Sequence, residues 1–180
     1  MAIHQDLASL SAEALDEYFT LAEIGLKHVK TDGGCLGYPS MLLVFCAIDA
    51  LSNHLGYPEH SFLALNDPII GLNLTEPQRT RLKRWYRHLL AHNGMIAPGT
   101  VLTPEESGRP IEFSASGEPT KIRVKVLFQI VKRAWDSFDR AKLRPRSVLL
   151  PIQQIDFSQA SIAFPVASSG CNVQPKIVKM

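Results

Sequence analysis

Residues 40–55, SMLLVFCAIDALSNHL, constrain the fold most, because they predict a helix that is apolar on nearly every face. Such a helix is stable in water only when other elements cover it on several sides, so we expect it at the centre of a bundle. Pro39 favours the first helical turn, and Gly56 favours its end. The apolar run is too short to cross a bilayer, and it stops at Asp49. We therefore expect a protein without a membrane span.

Three more segments have the apolar spacing of amphipathic helices. Ser11 is a predicted N-cap for the first of them, and the third predicted helix starts at Thr75 and ends at Gly94 in the left-handed conformation. The predicted helices cover residues 12–30, 39–55, 75–93 and 125–143. The predicted core residues of the first helix are Leu15, Phe19, Ala22, Leu26 and Val29.

Two segments lack a helical period. Residues 95–124 alternate short β-branched or aromatic pieces with Gly, Pro and Ser, which predicts a small hairpin that pairs 100–102 with 110–113. Residues 145–180 carry scattered apolar side chains and several prolines. We expect an all-α domain over 1–144 with the hairpin inserted between its third and fourth helices, followed by an irregular C-terminal arm or tail over 145–180.

Charge is divided unevenly along the chain. Residues 1–78 contain two basic and ten acidic side chains, a net charge of −8, whereas residues 79–146 contain fifteen basic and six acidic ones, a net charge of +9. Concentrated positive charge attracts polyanions such as nucleic acids. The alternative is that the two halves neutralise each other across the fold.

The third predicted helix carries the basic stretch RTRLKRWYRHLLAHNG. On an ideal helix, Arg87 and His92 border its polar arc on opposite sides, about 140° apart. They can converge on one phosphate only if the helix end unwinds or a second subunit closes the groove. The apolar sector contains Leu82, Trp85, Tyr86, Leu89 and Leu90. For Trp85 and Tyr86, packing in the core is preferred to stacking on bases.

These residue types suit phosphodiester chemistry that needs no metal and no cofactor. The guanidinium of Arg87 matches two phosphate oxygens and stabilises the charge that grows in the transition state. Histidine, as at His88 and His92, accepts or returns a proton near neutral pH. We expect less specific attraction of RNA phosphates by the neighbouring basic side chains, Arg81, Lys83 and Arg84.

Two other interpretations of this helix stay open. The basic residues can form a solvated helix face, since cationic side chains near a helix C-terminus stabilise it without any function. His88 and His92, four residues apart, can also bind a metal ion, but the HExxH glutamate and a third ligand are absent from the pattern. A metal-dependent hydrolase is therefore the least favoured of the functions considered.

The stretch WYRHLLAHNG, after the helical segment PSMLLVFCAIDALSNHLG, resembles the HEPN superfamily, the higher-eukaryote and prokaryote nucleotide-binding domains. The HEPN signature is an arginine, a polar residue, three further positions and a histidine. Arg87, His88 and His92 match these three places. The resemblance covers roughly residues 10–143, without the insertion 95–124.

The resemblance implies a four-to-five-helix bundle that dimerises, so that two motifs meet in one cleft. Many HEPN proteins are metal-independent endoribonucleases that leave a 2′,3′-cyclic phosphate and a 5′-hydroxyl, often in toxin–antitoxin or phage-defence systems. The histidine assists attack by the ribose 2′-hydroxyl, and the arginine holds the scissile phosphate. Other members bind nucleotides, RNA or proteins without cleavage, which makes a non-catalytic dimerisation, adaptor or nucleotide-binding module the alternative function.

Asp49 and the cysteines complete the expectations. Asp49 can orient Arg87 or His92, or it can mark an exposed stripe of the second helix, which is the slightly preferred interpretation. The three cysteines have no metal-type spacing and are odd in number, which predicts a reducing, cytoplasmic location. The expected partners are a second copy of the chain, RNA or a nucleotide, and an antitoxin or regulatory protein.

Overall fold

The structure is a computed structural model of the 180-residue chain, and it describes residues 6–58, 61–84, 90, 94 and 98–144. The predicted tail over 145–180 lies outside these residues and stays a prediction. Met1–Arg146 form one compact unit. The elements described in it are, in chain order, α1 (Leu7–Lys27), α2 (Gly37–His54), a 3-10 helix (Leu63–Asn66), α3 (Glu76–Leu82), β1 (Val101–Thr103), β2 (Ile111–Phe113), β3 (Pro119–Arg123), α4 (Val124–Ser137) and a second 3-10 helix (Arg140–Lys142).

The central position predicted for α2 is confirmed. Its buried residues lie on most of its faces, and it contacts α1, α4, the first 3-10 helix and β1. Gly56 follows the helix with φ +80°, which is the left-handed stop expected there. None of the helices in the described ranges is long and apolar enough to cross a membrane.

The fold class predicted from the sequence is wrong, because the protein has a mixed α/β fold with a small sheet. β3 lies between β1 and β2, parallel to β1 and antiparallel to β2. The predicted pairing of 100–102 with 110–113 is therefore also wrong, although both segments form strands. Ile111 and Ile122 of this sheet are buried in the same core as the helices. The segment between α3 and α4 is thus a layer of the fold rather than an appendage on a helical bundle.

The ends of two helices differ from the prediction for local reasons. α1 begins at Leu7, because the Asp6 carboxylate accepts a hydrogen bond from the Ser9 backbone N–H at 2.7 Å and caps the helix. α4 ends at Ser137 rather than near 143, because Phe138 turns to an extended conformation. Val29, a predicted core residue, is 75% exposed, whereas the other four predicted for the first helix are buried.

A polar cluster joins α1 to the end of α4. The Trp135 indole Nε1 donates to Asp16 Oδ1 at 2.6 Å, and the Arg140 guanidinium donates to both Asp16 oxygens at 3.1 and 3.2 Å. That guanidinium also lies 3.7 Å from the centre of the Trp135 ring. Desolvation alone would raise the pKa of Asp16, but the hydrogen bonds from Arg140 and Trp135 and the nearby positive charges lower it.

Candidate functional site

The predicted catalytic residues Arg87, His88 and His92 lie outside the described residues, as do Trp85 and Tyr86. Their roles, and the alternative of a metal bound by His88 and His92, therefore stay predictions. The structure describes α3 and the two residues after it, the residues around them, and Gly94, which follows the motif.

α3 begins with two local signals that fix its start. The Thr75 hydroxyl accepts a hydrogen bond from the Gln78 backbone N–H, and the Gln78 side chain accepts one from the Thr75 backbone N–H, which is a capping box. Pro77 occupies the first turn, where a missing N–H costs nothing. Further along, Gly94 has φ +63° and donates its backbone N–H to the Leu90 carbonyl at 3.1 Å. The predicted left-handed terminator is confirmed.

Lys83 and Arg84 form a π-helical turn directly after α3. A π-helical turn takes more residues per turn than an α-helix, and such turns occur frequently at functional sites. The angle of about 140° predicted between Arg87 and His92 stays a prediction, because both residues lie after this turn and outside the described residues.

Arg81, Lys83 and Arg84, the predicted phosphate-attracting residues, have different surroundings. Arg81 is half-buried, and its guanidinium makes an ion pair with Glu118 at the end of the β2–β3 turn. Lys83 is half-buried and Arg84 is exposed, and neither makes an ion pair with another described residue. Lys83 and Arg84 are therefore the two of the three whose charge is not offset by the carboxylate of a described residue.

An open cleft of about 510 Å³ lies between α3 and the β2–β3 turn. Arg81 and Arg84 line it together with Glu76 and Glu118, so its charges balance. A cleft with this mixture does not attract an anion by net charge. Of its two arginines, only Arg81 makes an ion pair with a described carboxylate.

A second cleft, of about 370 Å³, lies between the loop before α3 and β2. Gln78 and Asn73 line it with amide groups, Arg109 lines it with a guanidinium, and Phe113 contributes an aromatic ring. This combination can stack on an unpaired base and hydrogen-bond to its edge. Sequence reasoning assigned Phe113 only to a strand, because nothing in the pattern indicated that the loop before α3 would lie next to it.

Asp49 lies in the middle of α2 and is only 9% exposed. The slightly preferred sequence interpretation, an exposed stripe of α2, is therefore wrong. Asp49 has an interaction partner, as expected for a buried carboxylate. Its role as an orienting residue for Arg87 or His92 stays a prediction, because both of those residues lie outside the described part.

His54, a residue without a predicted role, joins α1 to α2. Its Nε2 lies 2.9 Å from the Ser11 hydroxyl, so Ser11 contacts a neighbouring helix instead of capping α1 as predicted. Burial lowers the pKa of His54, and the backbone of Arg144 acts weakly in the opposite sense. Among the described residues, the buried Nδ1 makes no hydrogen bond of good geometry. The pair has the atoms of a nucleophile and its base, but His54 is 7% exposed and lines neither of the clefts above.

Comparisons of the chain with models of known protein families, with curated proteins and with solved structures found no match. Within the described ranges, no three His, Cys, Asp or Glu side chains are grouped as a metal site would require.

Proposed function

We propose that this chain is an RNA-binding protein that cleaves RNA without a metal ion. The observation that carries the proposal is the order of side chains along one segment. Lys83 and Arg84, which make no ion pair with a described residue, lie shortly before Arg87, His88 and His92 in the sequence. The resemblance of that motif to HEPN ribonucleases supplies the catalytic roles. The proposal concerns the motif and its chemistry, and it does not include an all-α bundle.

In the proposed reaction, His92 accepts the proton of the ribose 2′-hydroxyl while the 2′ oxygen attacks phosphorus. The bond from phosphorus to the 5′ oxygen breaks, and that oxygen takes a proton from solvent water, so the products are a 2′,3′-cyclic phosphate and a 5′-hydroxyl. Arg87 binds the phosphate oxygens and stabilises the charge that they gain. His88 is the polar residue of the motif and belongs to the same site.

RNA outside the scissile bond is held by the described residues. Arg84 and Lys83 bind neighbouring phosphates, since no described carboxylate pairs with them. The cleft beside Phe113 takes an unpaired base, which makes single-stranded RNA the favoured substrate.

The first experiment is incubation of the purified chain with a labelled single-stranded RNA in excess EDTA, followed by analysis of both product ends. We expect cyclic phosphate ends, and a loss of at least about 100-fold in rate for His92→Ala, as is usual for a general base. The matched control is His28→Ala, because His28 is exposed and lies outside the site. His54 is unsuitable as a control, since it is buried and bonded to Ser11. Full cleavage by His92→Ala, or cleavage only with added metal, would contradict the proposal.

Binding is tested separately by the salt dependence of RNA affinity. Each phosphate contact to a single strand contributes about −0.7 to the slope of log K against log salt. We expect Arg84→Ala to make the slope shallower by about this amount, whereas Arg133→Ala, a change at another exposed arginine, leaves it unchanged. Binding without any cleavage would favour the alternative, a non-catalytic adaptor or nucleotide-binding module.

The proposal includes a homodimer, a cytoplasmic location and a regulatory or antitoxin partner. A homodimer supplies the second wall that Arg87 and His92 need if they act on one phosphate. The described cysteines, Cys35 and Cys46, are not joined in a disulfide, which is consistent with a reducing compartment.

A further inference from the structure

The cleft between the loop before α3 and β2, which we call the Phe113 cleft, has the size and lining of a ligand site. Its volume of about 370 Å³ lies within the range of roughly 300–1,000 Å³ that is usual for such sites. Most of its lining is apolar, and it includes the half-buried ring of Phe113. Arg109 is the only charged side chain among the described residues that line it. One cation beside an aromatic ring suits a flat, uncharged ligand with hydrogen-bond acceptors.

Three polar side chains that line the Phe113 cleft have hydrogen-bonding groups for which no described residue is a partner. The exposed Arg109 guanidinium makes no ion pair or hydrogen bond within the described chain. The Gln78 Oε1 accepts from the Thr75 backbone N–H at 2.9 Å, which leaves the amide N–H groups of Gln78 as donors. The Asn73 amide donates to the Gly71 carbonyl at 3.4 Å, which leaves the Asn73 Oδ1 as an acceptor. The cleft is therefore rich in donors and has one side-chain acceptor.

Both walls of the Phe113 cleft are held in place by hydrogen bonds. On one wall, the Arg123 guanidinium donates to the Arg109 carbonyl at 2.8 Å, and the Arg123 backbone N–H donates to the Pro110 carbonyl at 2.9 Å. On the other wall, the Asn66 side chain accepts from the Leu74 backbone N–H at 2.7 Å and donates to the Leu74 carbonyl at 2.6 Å. A ligand that enters such a preformed cleft loses less free energy to the ordering of its site.

We propose that the Phe113 cleft selects a guanine base of single-stranded RNA and that Arg109 determines this specificity. The guanidinium fork donates two parallel hydrogen bonds, and guanine carries two acceptors, N7 and O6, side by side on one edge. The ring of Phe113 stacks on the base. The Asn73 Oδ1 is the acceptor for the N–H groups on the opposite edge of guanine. This inference rests on the proposed function for its ligand, RNA, and adds which base is recognised.

The other three bases match these groups less well. Adenine carries its N6 amino group beside the N7 and N1 acceptors, so a guanidinium fork would meet a donor there. Uracil separates its two carbonyl oxygens by the N3–H donor. Cytosine has two neighbouring acceptors, N3 and O2, but its single ring covers less of the Phe113 ring than a purine does. We therefore assign the cleft to guanine, and cytosine is the base that the test must exclude.

The first test measures the binding of RNA without its cleavage. Short oligouridine strands with one central guanine, adenine or cytosine, and an all-uracil strand, carry 2′-O-methyl groups, so the proposed reaction cannot occur. We expect fluorescence anisotropy with the full chain to show binding of the guanine strand about tenfold tighter than binding of the others. Equal affinities for the four strands, or tightest binding of the cytosine strand, would overturn the inference.

Arg109→Gln tests whether this side chain sets the preference. Glutamine lacks the guanidinium fork, and its amide pairs with N6 and N7 of adenine. The loss of one positive charge weakens all strands alike, so the ratio of affinities is the readout. We expect the guanine preference to disappear and the adenine strand to bind most tightly. The matched control is Arg133→Gln, at an exposed arginine on α4, which should keep the guanine preference. A guanine preference that survives in Arg109→Gln would refute the role of Arg109.

A single-atom change in the base tests the contact itself. 7-Deazaguanine lacks the N7 acceptor but keeps O6 and the stacking surface. The wild-type chain should bind a strand with this base about tenfold more weakly than the guanine strand, since a hydrogen bond from a charged donor is lost. Arg109→Ala should bind the two strands alike. A wild-type chain that does not distinguish them would refute the contact between Arg109 and N7.

The outcomes separate this inference from the proposed function. A chain that cleaves RNA but binds all four strands alike keeps the ribonuclease and loses the guanine site, whereas guanine preference without cleavage keeps the site. No binding of any strand would contradict both. Free guanosine monophosphate should compete only weakly with the guanine strand, because it lacks the neighbouring phosphates proposed to bind Lys83 and Arg84. Competition as strong as that of the strand itself would assign the cleft to a free nucleotide and overturn the selection of RNA.

Discussion

Gly25 is the position at which α1 approaches α2 most closely, and Gly25→Ala tests how tightly the two helices pack. A Cβ on Gly25 would overlap the Ser40 Oγ, closer than real Cβ contacts come. The next neighbours, the Leu36 Cβ and carbonyl oxygen, would lie at 3.5 and 3.6 Å, which is ordinary contact. Ser40 is buried, and its hydroxyl donates to the Ala22 carbonyl at 3.0 Å. The variant therefore forces the Ser40 side chain out of its hydrogen bond.

The magnitude follows from two opposing effects on the free energy of unfolding. Alanine is better than glycine in a helix interior by about 1 kcal/mol. Overpacking a buried contact costs about 1–3 kcal/mol, and leaving the Ser40 hydroxyl without an acceptor adds about 1–3 kcal/mol. We expect a net destabilisation of about 2 kcal/mol, which lowers Tm by about 4–8 °C for a domain of this size.

Urea unfolding followed by circular dichroism measures this change, and a double-mutant cycle assigns its cause. In a Ser40→Ala background the clash is absent, so Gly25→Ala should stabilise the protein by about 1 kcal/mol. Gly37→Ala is the matched control, because a Cβ there would meet nothing closer than 3.8 Å, the Leu102 Cδ1. A Gly25→Ala protein that is as stable as wild type, or equally destabilised in both backgrounds, would refute the close approach of α1 and α2.

Three further changes test other contacts. Burial holds the pKa of His54 below its usual value, so the unfolded chain takes up the proton first as pH falls. The free energy of unfolding should therefore decrease as pH drops through about 6.5, by up to about 1.4 kcal/mol per pH unit. His54→Gln should flatten this dependence, which urea unfolding between pH 5 and 8 measures. Trp135→Phe removes the hydrogen bond to Asp16 and should cost about 1–2 kcal/mol in the same assay, with a rise in the pKa of Asp16 measurable by NMR titration. Glu118→Gln releases Arg81 from its ion pair, so RNA binding should tighten at low salt while stability changes by less than about 1 kcal/mol.

The helical part of the fold could be predicted because its signals are local. The apolar run of α2 requires a central helix, and Gly56 and Gly94 adopt the left-handed conformations expected of helix ends. The start of α1 was misplaced because Asp6 and Ser11 are both good N-caps by type. Ser11 instead contacts His54, 43 residues further along the chain. A side chain that can cap a helix or reach another helix is assigned only when the neighbouring helix is known.

The sheet was mispredicted because its pairing is not local. Three short apolar pieces follow α3, and the order of strands depends on which of them lies in the middle. Ile122 in β3 is fully buried and pairs with Ile111 of β2 on one side, while β1 joins on the other. The pattern PTKIR contains three basic or polar residues and two buried ones, and the buried ones are three positions apart, so it does not have the clear alternation that predicts a strand. Burial against the helices, rather than propensity, makes it the central strand.

The net charges of the two halves of the sequence do not show which of those charges are already paired in the fold. All six acidic residues of the segment 79–146 make ion pairs, and each pairs with a basic residue of that same segment. In Glu105 this is visible in a lowered pKa, caused first by the hydrogen bond from Arg123. Only Arg140 reaches an acidic residue of the first half, Asp16, among the ion pairs of the described residues. The net charge of +9 in this segment includes Lys83 and Arg84, which make no ion pair with a described carboxylate. A phosphate backbone bound there would meet this local positive charge rather than the total of +2.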